Sequence, residues 1–180
     1  VARGAGGAVS VDQAQRVAVG RAQARHRRVA SRSTQRSNMT AILREAERND
    51  IPGMWTVRYA VTENTLTPGR ISDEDVRREI EDTGKGWVIE VDGRIDAFAS
   101  CNARTGNIWA LFVHPHAEGL GYGSRLHDAM LDWLRTQPID RLWLTTDAQS
   151  RACGFYERRG WQCAGVTDTG EVRYEHANGR

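Results

Sequence analysis

One segment in the second half of the chain combines an apolar run, a glycine-rich loop and a helical pattern. The run Ile108-Trp109-Ala110-Leu111-Phe112-Val113 predicts a buried strand. Pro115 ends this strand because proline lacks the N–H that a strand ladder needs. The loop that follows has a glycine at every second position, so its backbone can bend tightly and approach a ligand closely. A helix is predicted next, because apolar residues recur at helical spacing at Leu126, Ala129, Met130, Trp133 and Leu134.

This order of elements predicts an anion site. A strand, a tight loop and a helix start leave several backbone N–H groups unpaired at the positive end of the helix dipole. A diphosphate is the most natural ligand for such a site.

Two familiar phosphate loops do not match the segment. The P-loop places a Lys and a Ser or Thr after its last glycine, where this chain has Ser124-Arg125. The dinucleotide loop places its third glycine three positions after the second, whereas Gly119, Gly121 and Gly123 are evenly spaced. The predicted site therefore belongs to neither common nucleotide fold.

The loop resembles a known family motif. Val113-x-Pro115, followed by Gly119-x-Gly121-x-Gly123-x-x-Leu126, is similar to the acetyl-coenzyme A signature of the GNAT superfamily of N-acetyltransferases. A second block, the apolar strand at 142–146 and the segment at 149–161, resembles the family's strand and its Asn-x-x-Ala-x-x-Phe-Tyr-Glu-x-x-Gly-Phe helix. The resemblance covers roughly residues 39–176 and is strongest over 107–161.

The resemblance implies a fold, a co-substrate and a set of contacts. The fold is a single-domain α/β structure, a GNAT-like mixed β-sheet with helices on both faces. The co-substrate is acetyl-coenzyme A, with its pantetheine arm along the strand and its diphosphate on the loop amides; no metal is implied. The implied cofactor-binding residues are Leu111, Phe112, Val113, Glu118, Gly119, Leu120, Gly121, Tyr122, Gly123, Ser124 and Gln149.

Two of these residues depart from the family pattern. Glu118 stands where the family usually has Arg or Gln. A carboxylate beside a diphosphate is unfavourable, so only the backbone amide of Glu118 is expected to contact the cofactor. Gln149 stands where the family often has Asn, and its amide offers the same groups on a longer stem.

Tyr156 is the candidate catalytic residue. The resemblance implies that its hydroxyl lies near the thioester sulfur and protonates the leaving thiolate. The alternative is a core aromatic, because Tyr156 shares an apolar helical stripe with Ala152 and Phe155.

The acceptor side has three candidate residues. Glu63 and Asn64, at the end of a predicted helix, fall where the family places its acceptor; the alternative for Glu63 is an exposed helix-end acid. Trp109 either lines the acceptor pocket or fills the core. His114 and His116 flank the glycine loop and are interpreted as polar groups of that loop.

Length and cysteine content limit the class of protein. A chain of 180 residues suits one domain of ordinary size, and no apolar run approaches the ~20 residues needed to cross a bilayer. Cys101, Cys153 and Cys163 are odd in number and lack metal-ligand spacing. Reduced, mostly buried thiols in a cytoplasmic protein are therefore expected.

The first 38 residues differ in charge from the rest of the chain. They contain eight arginines and one aspartate, a net charge of +7, which leaves −5 for the remainder. They also lack aromatic residues and cannot bury enough apolar surface to fold alone. This leader is a targeting segment, a nucleic-acid-binding arm or a non-native extension before Met39. We favour the last, with residues 39–180 forming the acetyltransferase domain.

The remaining segments are interpreted from local signals. A strand begins at Thr40, and a helix capped by Asp50 has Pro52 in its first turn and an apolar face. The apolar face of this helix consists of Met54, Val57, Tyr59 and Val61, and a loop is predicted at residues 65–70. A second helix is predicted to start at Ser72. Two hairpins are predicted: one at 87–99 that turns at Asp92-Gly93, with the strand at 107–113 pairing next, and one at 161–176 that turns at 168–170.

These patterns favour acetyl transfer from acetyl-coenzyme A to a primary amine by direct attack. The acceptor is a small molecule or a peptide, and the net charge of −5 favours a cationic one. Two alternatives are a non-catalytic acyl-coenzyme A-binding regulatory module and a nucleic-acid-binding protein that works through the leader. No membrane association is expected, and the oligomeric state is left open, with a homodimer as one alternative.

Overall fold

The structure is a computed structural model that describes residues 40–63 and 69–179. Within these ranges it contains seven strands and four α-helices. In chain order they are β1 (Ala41–Glu45), α1 (Ile51–Ala60), α2 (Asp73–Glu81), β2 (Gly84–Val91), β3 (Arg94–Asn102), β4 (Asn107–Val113), α3 (Tyr122–Leu134), β5 (Arg141–Asp147), α4 (Ala152–Glu157), β6 (Gln162–Val166) and β7 (Glu171–Ala177). Short 3₁₀ turns precede α1 and α3.

The strands form one sheet in the order β1-β2-β3-β4-β5-β7-β6. The β4–β5 pair is parallel and the other pairs are antiparallel. The turn between β2 and β3 has φ of +50° at Asp92 and +76° at Gly93, and left-handed residues of this kind match the twist of a hairpin. The two predicted hairpins and the pairing of β4 with β3 are therefore confirmed.

Helices cover both faces of the sheet, which confirms the predicted fold class. One apolar cluster joins α1 and α2 to side chains such as Val88 and Phe98. The other joins α3 and α4 to side chains such as Ile89 and Ala99. Neighbouring residues of β2 and β3 thus point into different clusters, because successive strand residues face opposite sides of a sheet.

The start of α2 follows the sequence signal. The Ser72 hydroxyl accepts a hydrogen bond from the Asp75 N–H at 3.2 Å, and the Asp75 carboxylate accepts one from the Ser72 N–H at 2.9 Å. This reciprocal pair satisfies two N–H groups at the helix start.

The start of α1 differs from the prediction. Asp50 occupies the cap position, but its carboxylate makes no hydrogen bond to the α1 amides. It pairs with the Arg44 guanidinium through two contacts of 2.7 Å and accepts the Glu47 N–H at 2.8 Å. A charged partner from β1 therefore replaces the helix as the partner of Asp50.

Two burial predictions are also wrong. Tyr59 is 57% exposed and stacks on Trp55, so it lies outside the buried face that Met54 and Val57 form. Cys163 is exposed because β6 is an edge strand, whereas Cys101 is buried and Cys153 is half-buried. Burial raises the pKa of the Cys101 thiol to about 12, so this cysteine stays protonated.

Some predictions fall outside the described residues. These are the alternatives for residues 1–38, Asn64 and most of the predicted loop at 65–70. In the described part of the chain, no helix is long and apolar enough to cross a membrane.

Candidate active site

A cavity opens where β4 and β5 separate. In the described residues these two strands pair through Asn107 and Trp143 alone, while β4 continues to pair with β3 and β5 with β7. The strand edges that face each other beyond this point are not joined by ladder hydrogen bonds. A cavity of about 570 Å³ lies there, and both strands contribute to its walls.

An irregularity in β4 lies at the same place. Ile108 pairs with Cys101 and Ala110 pairs with Ser100, so Trp109 has no partner across the ladder. One extra residue of this kind is a β-bulge, which bends a strand and redirects its side chains. Trp109 lines the cavity and also packs against the α1/α2 cluster.

The glycine loop forms the end of the cavity nearest α3. Gly119 and Gly121 have φ of +75° and +79°, a conformation that favours glycine, and Gly121 is the cap residue of α3. A Cβ on Gly123 would lie 3.7 Å from side-chain atoms of Leu111, Val113 and Phe155, which all line the cavity, so a side chain there would occupy cavity space. The first turn of α3 contains no acidic residue. Its free N–H groups therefore suit an anion.

Nine of the eleven predicted cofactor residues line this cavity: Leu111, Phe112, Val113, Glu118, Gly119, Gly121, Tyr122, Gly123 and Ser124. The other two do not. The side chain of Leu120 is 51% exposed, and Gln149 lies in an exposed turn in which its N–H donates to Asp147 at 2.8 Å.

Tyr156 also lines the cavity, from α4. It is only 6% exposed, and its ring packs edge-on against Phe155 and Trp161 at centroid distances of 5.2 and 5.4 Å. Desolvation raises the pKa of Tyr156 above the usual value for a phenol. The residue is thus both part of the core and part of the cavity wall, with its hydroxyl held in the protonated form.

The carboxylate of Glu118 has a cationic partner, which the sequence analysis did not predict. It accepts two hydrogen bonds of 2.8 Å from the guanidinium of Arg151. The hydrogen bonds from Arg151, together with its charge, hold the pKa of Glu118 below its usual value. The repulsion expected between Glu118 and a diphosphate is therefore opposed by a cation in direct contact.

Glu63 shares the same arginine. Its carboxylate accepts a hydrogen bond of 2.6 Å from Nε of Arg151 and one of 3.1 Å from the Arg151 backbone N–H. Both residues line the cavity, so the structure brings Glu63, Trp109 and Tyr156 around one space.

Sequence reasoning missed several residues of the cavity. Arg151 is one of them. The signal that could have revealed it is Glu118, because a carboxylate next to an anion site is expected to have a cation as its partner. Ser150 and Thr146 are two more, with their hydroxyl oxygens 3.0 Å apart. No metal cluster is present among the described His, Cys, Asp and Glu side chains.

A second cavity of about 640 Å³ lies between α3 and α4. Three residues, Ser124, Phe155 and Arg158, line both cavities. Arg135 and Arg159 also line the second cavity, and each pairs with an aspartate of α3: Arg135 with Asp132 at 2.6 Å and Arg159 with Asp128 at 2.7 Å.

The fold and this site define an acetyltransferase of the GNAT type. The family model for the acetyltransferase (GNAT) family matches residues 49–161, and the chain belongs to this family. Acetyl-coenzyme A is the co-substrate of the family.

Individual relatives agree with this assignment. The chain is 37% identical over 103 residues to mycothiol acetyltransferase from Beutenbergia cavernae, a match that covers 52% of this chain and 35% of that protein. The match thus spans about a third of the relative's length.

Two solved structures share the fold. The ribosomal-protein-S18-alanine N-acetyltransferase from Escherichia coli superposes with a TM-score of 0.64 at 17% identity, over 78% of this chain and 96% of that one. The PaiA N-acetyltransferase from Thermoplasma acidophilum, in complex with coenzyme A, gives a TM-score of 0.63 at 17% identity, over 77% and 99%.

Proposed function

We propose that this domain transfers the acetyl group of acetyl-coenzyme A to a primary amine by direct attack. The observation that carries the proposal is one cavity with three features: diverging strands, a glycine loop at a helix start, and a buried tyrosine in the wall. The name of the relative from Beutenbergia cavernae, mycothiol acetyltransferase, is in keeping with acetyl transfer.

The cavity offers suitable contacts along the length of the co-substrate. Backbone groups at the open edge of β4, over residues 111–113, can hydrogen-bond the amides of the pantetheine arm. The N–H groups of residues 118–124 can hold the diphosphate. The adjoining cavity between α3 and α4 would take the nucleotide end, where Arg135 and Arg158 provide positive charge.

The chemistry needs one bond formed and one broken. The lone pair of the neutral amine forms a C–N bond with the acetyl carbonyl carbon, the C–S bond breaks, and the sulfur leaves with its electron pair. Tyr156 donates a proton to that sulfur and afterwards regains one from solvent. The excess proton on the new amide nitrogen passes to solvent, so no acyl-enzyme intermediate is required.

The acceptor approaches from the side of Glu63 and Trp109. The Glu63 carboxylate favours an amine that reaches the site as an ammonium ion and then loses its proton to water. The aromatic face of Trp109 suits both apolar and cationic parts of the acceptor. We assign the acceptor to amine-bearing small molecules or peptides.

The free thiols of Cys101, Cys153 and Cys163 fit a cytoplasmic location.

A product assay tests the proposal. The full chain is incubated with acetyl-coenzyme A and a panel of small amines, aminoacyl compounds and free α-amino peptides, and free coenzyme A is measured by chromatography. Chromatography is preferred because the protein's own exposed Cys163 would react with thiol reagents. Acetylated acceptor, identified by mass spectrometry, is expected for at least one amine, and N-acetylated versions of the same amines serve as inactive controls. Binding of acetyl-coenzyme A without turnover of any amine would instead support a regulatory binding module.

A further inference from the structure

Arg151 connects three distant parts of the chain at the mouth of the cavity. It precedes α4 directly, whereas Glu118 begins the glycine loop and Glu63 follows α1. Nη1 and Nη2 of its guanidinium each donate to one oxygen of Glu118 at 2.8 Å. Nε and the backbone N–H donate to the two oxygens of Glu63. All three nitrogens of the guanidinium are thus engaged by two carboxylates.

The geometry gives the two carboxylates different roles. Glu118 meets Arg151 in the parallel two-bond arrangement, which is the most directional pairing open to a carboxylate. Glu63 holds Nε and the backbone N–H together, and this fixes the plane of the guanidinium and aims its two terminal nitrogens at Glu118. Exposed ion pairs contribute little to folding stability, and these side chains are 69%, 39% and 38% exposed for Arg151, Glu118 and Glu63. Stability alone does not account for so complete an arrangement.

We propose that Arg151 is a positioning residue for the co-substrate, which holds the Glu118 carboxylate away from the diphosphate site and offsets its charge. This inference rests on the proposed function, because it takes the loop at 118–124 as the diphosphate site. Glu118 begins that loop, and the negative charge it carries would repel a diphosphate if it were unpaired. Arg151 lowers the combined negative charge of Glu118 and Glu63 from −2 to −1 without removing either carboxylate.

A double-mutant cycle on acetyl-coenzyme A affinity tests this role. The variants are Arg151→Gln, Glu118→Gln and the combination, with the dissociation constant measured by calorimetry at low and high salt. Arg151→Gln should weaken binding about fivefold at low salt and less at high salt, because screening reduces the repulsion from the exposed Glu118. Glu118→Gln alone should change the affinity less than about twofold, and the double variant should return to within about twofold of the original chain.

The rescue by the second substitution is the decisive result. If Arg151 instead contacted the diphosphate directly, the double variant would bind as weakly as Arg151→Gln, and the proposal would be overturned. Unchanged affinity in all variants would also overturn it, since the bridge would then be a surface contact alone.

Two controls separate these outcomes from other causes. Arg141→Gln removes another exposed ion pair, the one with Glu175 at 2.9 Å, and neither residue lines the cavity. The affinity of this variant for acetyl-coenzyme A should therefore equal that of the original chain. Melting temperatures of the variants should agree within about 2 °C because each lost pair is exposed. Failure of the proposed function itself is recognised separately, because the unsubstituted chain would then show no binding of acetyl-coenzyme A.

Discussion

Replacement of Tyr156 by phenylalanine tests the proposed chemical role of this residue separately from its packing role. The substitution removes one oxygen and keeps the ring that contacts Phe155 and Trp161. If the hydroxyl protonates the leaving thiolate, kcat should fall about 10²-fold, which lies at the lower end of the range for a positioned acid. That factor corresponds to about 2.7 kcal/mol of transition-state stabilisation. The affinity for acetyl-coenzyme A should change little, because the loop contacts are untouched.

The matched control is Tyr174→Phe. Tyr174 is 2% exposed, and its hydroxyl donates to Glu157 at 2.7 Å, but it does not line the cavity. Loss of this hydroxyl should cost about 1 kcal/mol of stability and leave kcat unchanged. The assay is steady-state release of coenzyme A on an accepted amine, together with calorimetric binding of the co-substrate. Equal kcat in Tyr156→Phe and the original chain would refute the role of Tyr156, as would equal losses in the two variants.

The pH dependence gives a second test of the same reasoning. Burial raises the pKa of Tyr156, so its hydroxyl stays protonated beyond the usual phenol value of about 10. The rate should therefore rise with pH as the acceptor amine loses its proton, and it should not fall again below about pH 10. A falling limb near pH 8 to 9 that disappears in Tyr156→Phe would show that the hydroxyl ionises earlier than its burial allows.

Three further predictions concern the loop, the core and the leader. Gly121→Ala and Gly93→Ala should each cost about 1 kcal/mol of stability, because both glycines have φ near +80° and the added Cβ would meet no atom within 4 Å. Only Gly121→Ala should also weaken acetyl-coenzyme A binding. Burial holds the pKa of His127 below its ordinary value, so its contribution to stability is complete above about pH 6.5 and is lost as the pH falls through the native pKa. The melting temperature should therefore decline between about pH 7 and 5, and it should decline less steeply in His127→Gln than in the original chain. A variant that lacks residues 1–38 should match the full chain in melting temperature and in acetyl-coenzyme A affinity, and a drop of several degrees would show that the leader contributes to the stability of the domain.

Local patterns were sufficient to predict much of the fold. The β2–β3 hairpin follows from two apolar runs separated by Asp92-Gly93, and the start of α2 follows from Ser72 and the acids after it. These signals lie within a few residues of the structure they specify, so a sequence carries them without knowledge of the tertiary fold. The loop at 118–124 was predictable for the same reason.

Contacts between distant segments were not predictable in this way. The partner of Asp50 is Arg44 rather than α1, and the partner of Glu118 lies 33 residues further along the chain. The position of β7 between β5 and β6 likewise depends on which strand edges meet after folding. Each of these outcomes requires knowledge of which elements are neighbours in space, and composition and periodicity do not contain that information.

Tyr156 shows why a core role and a proposed catalytic role need not exclude each other. An apolar stripe predicts a core residue, and a motif predicts a catalytic one, so the two appear to compete. The proposed chemistry, however, requires a phenol that is protonated at neutral and alkaline pH and held in a fixed direction. Packing against Phe155 and Trp161 supplies the fixed direction, and exclusion of water raises the pKa. If Tyr156 acts as proposed, its burial is the physical condition for its function, and a variant that loosens this packing while it keeps the hydroxyl, such as Phe155→Ala, should also lower kcat.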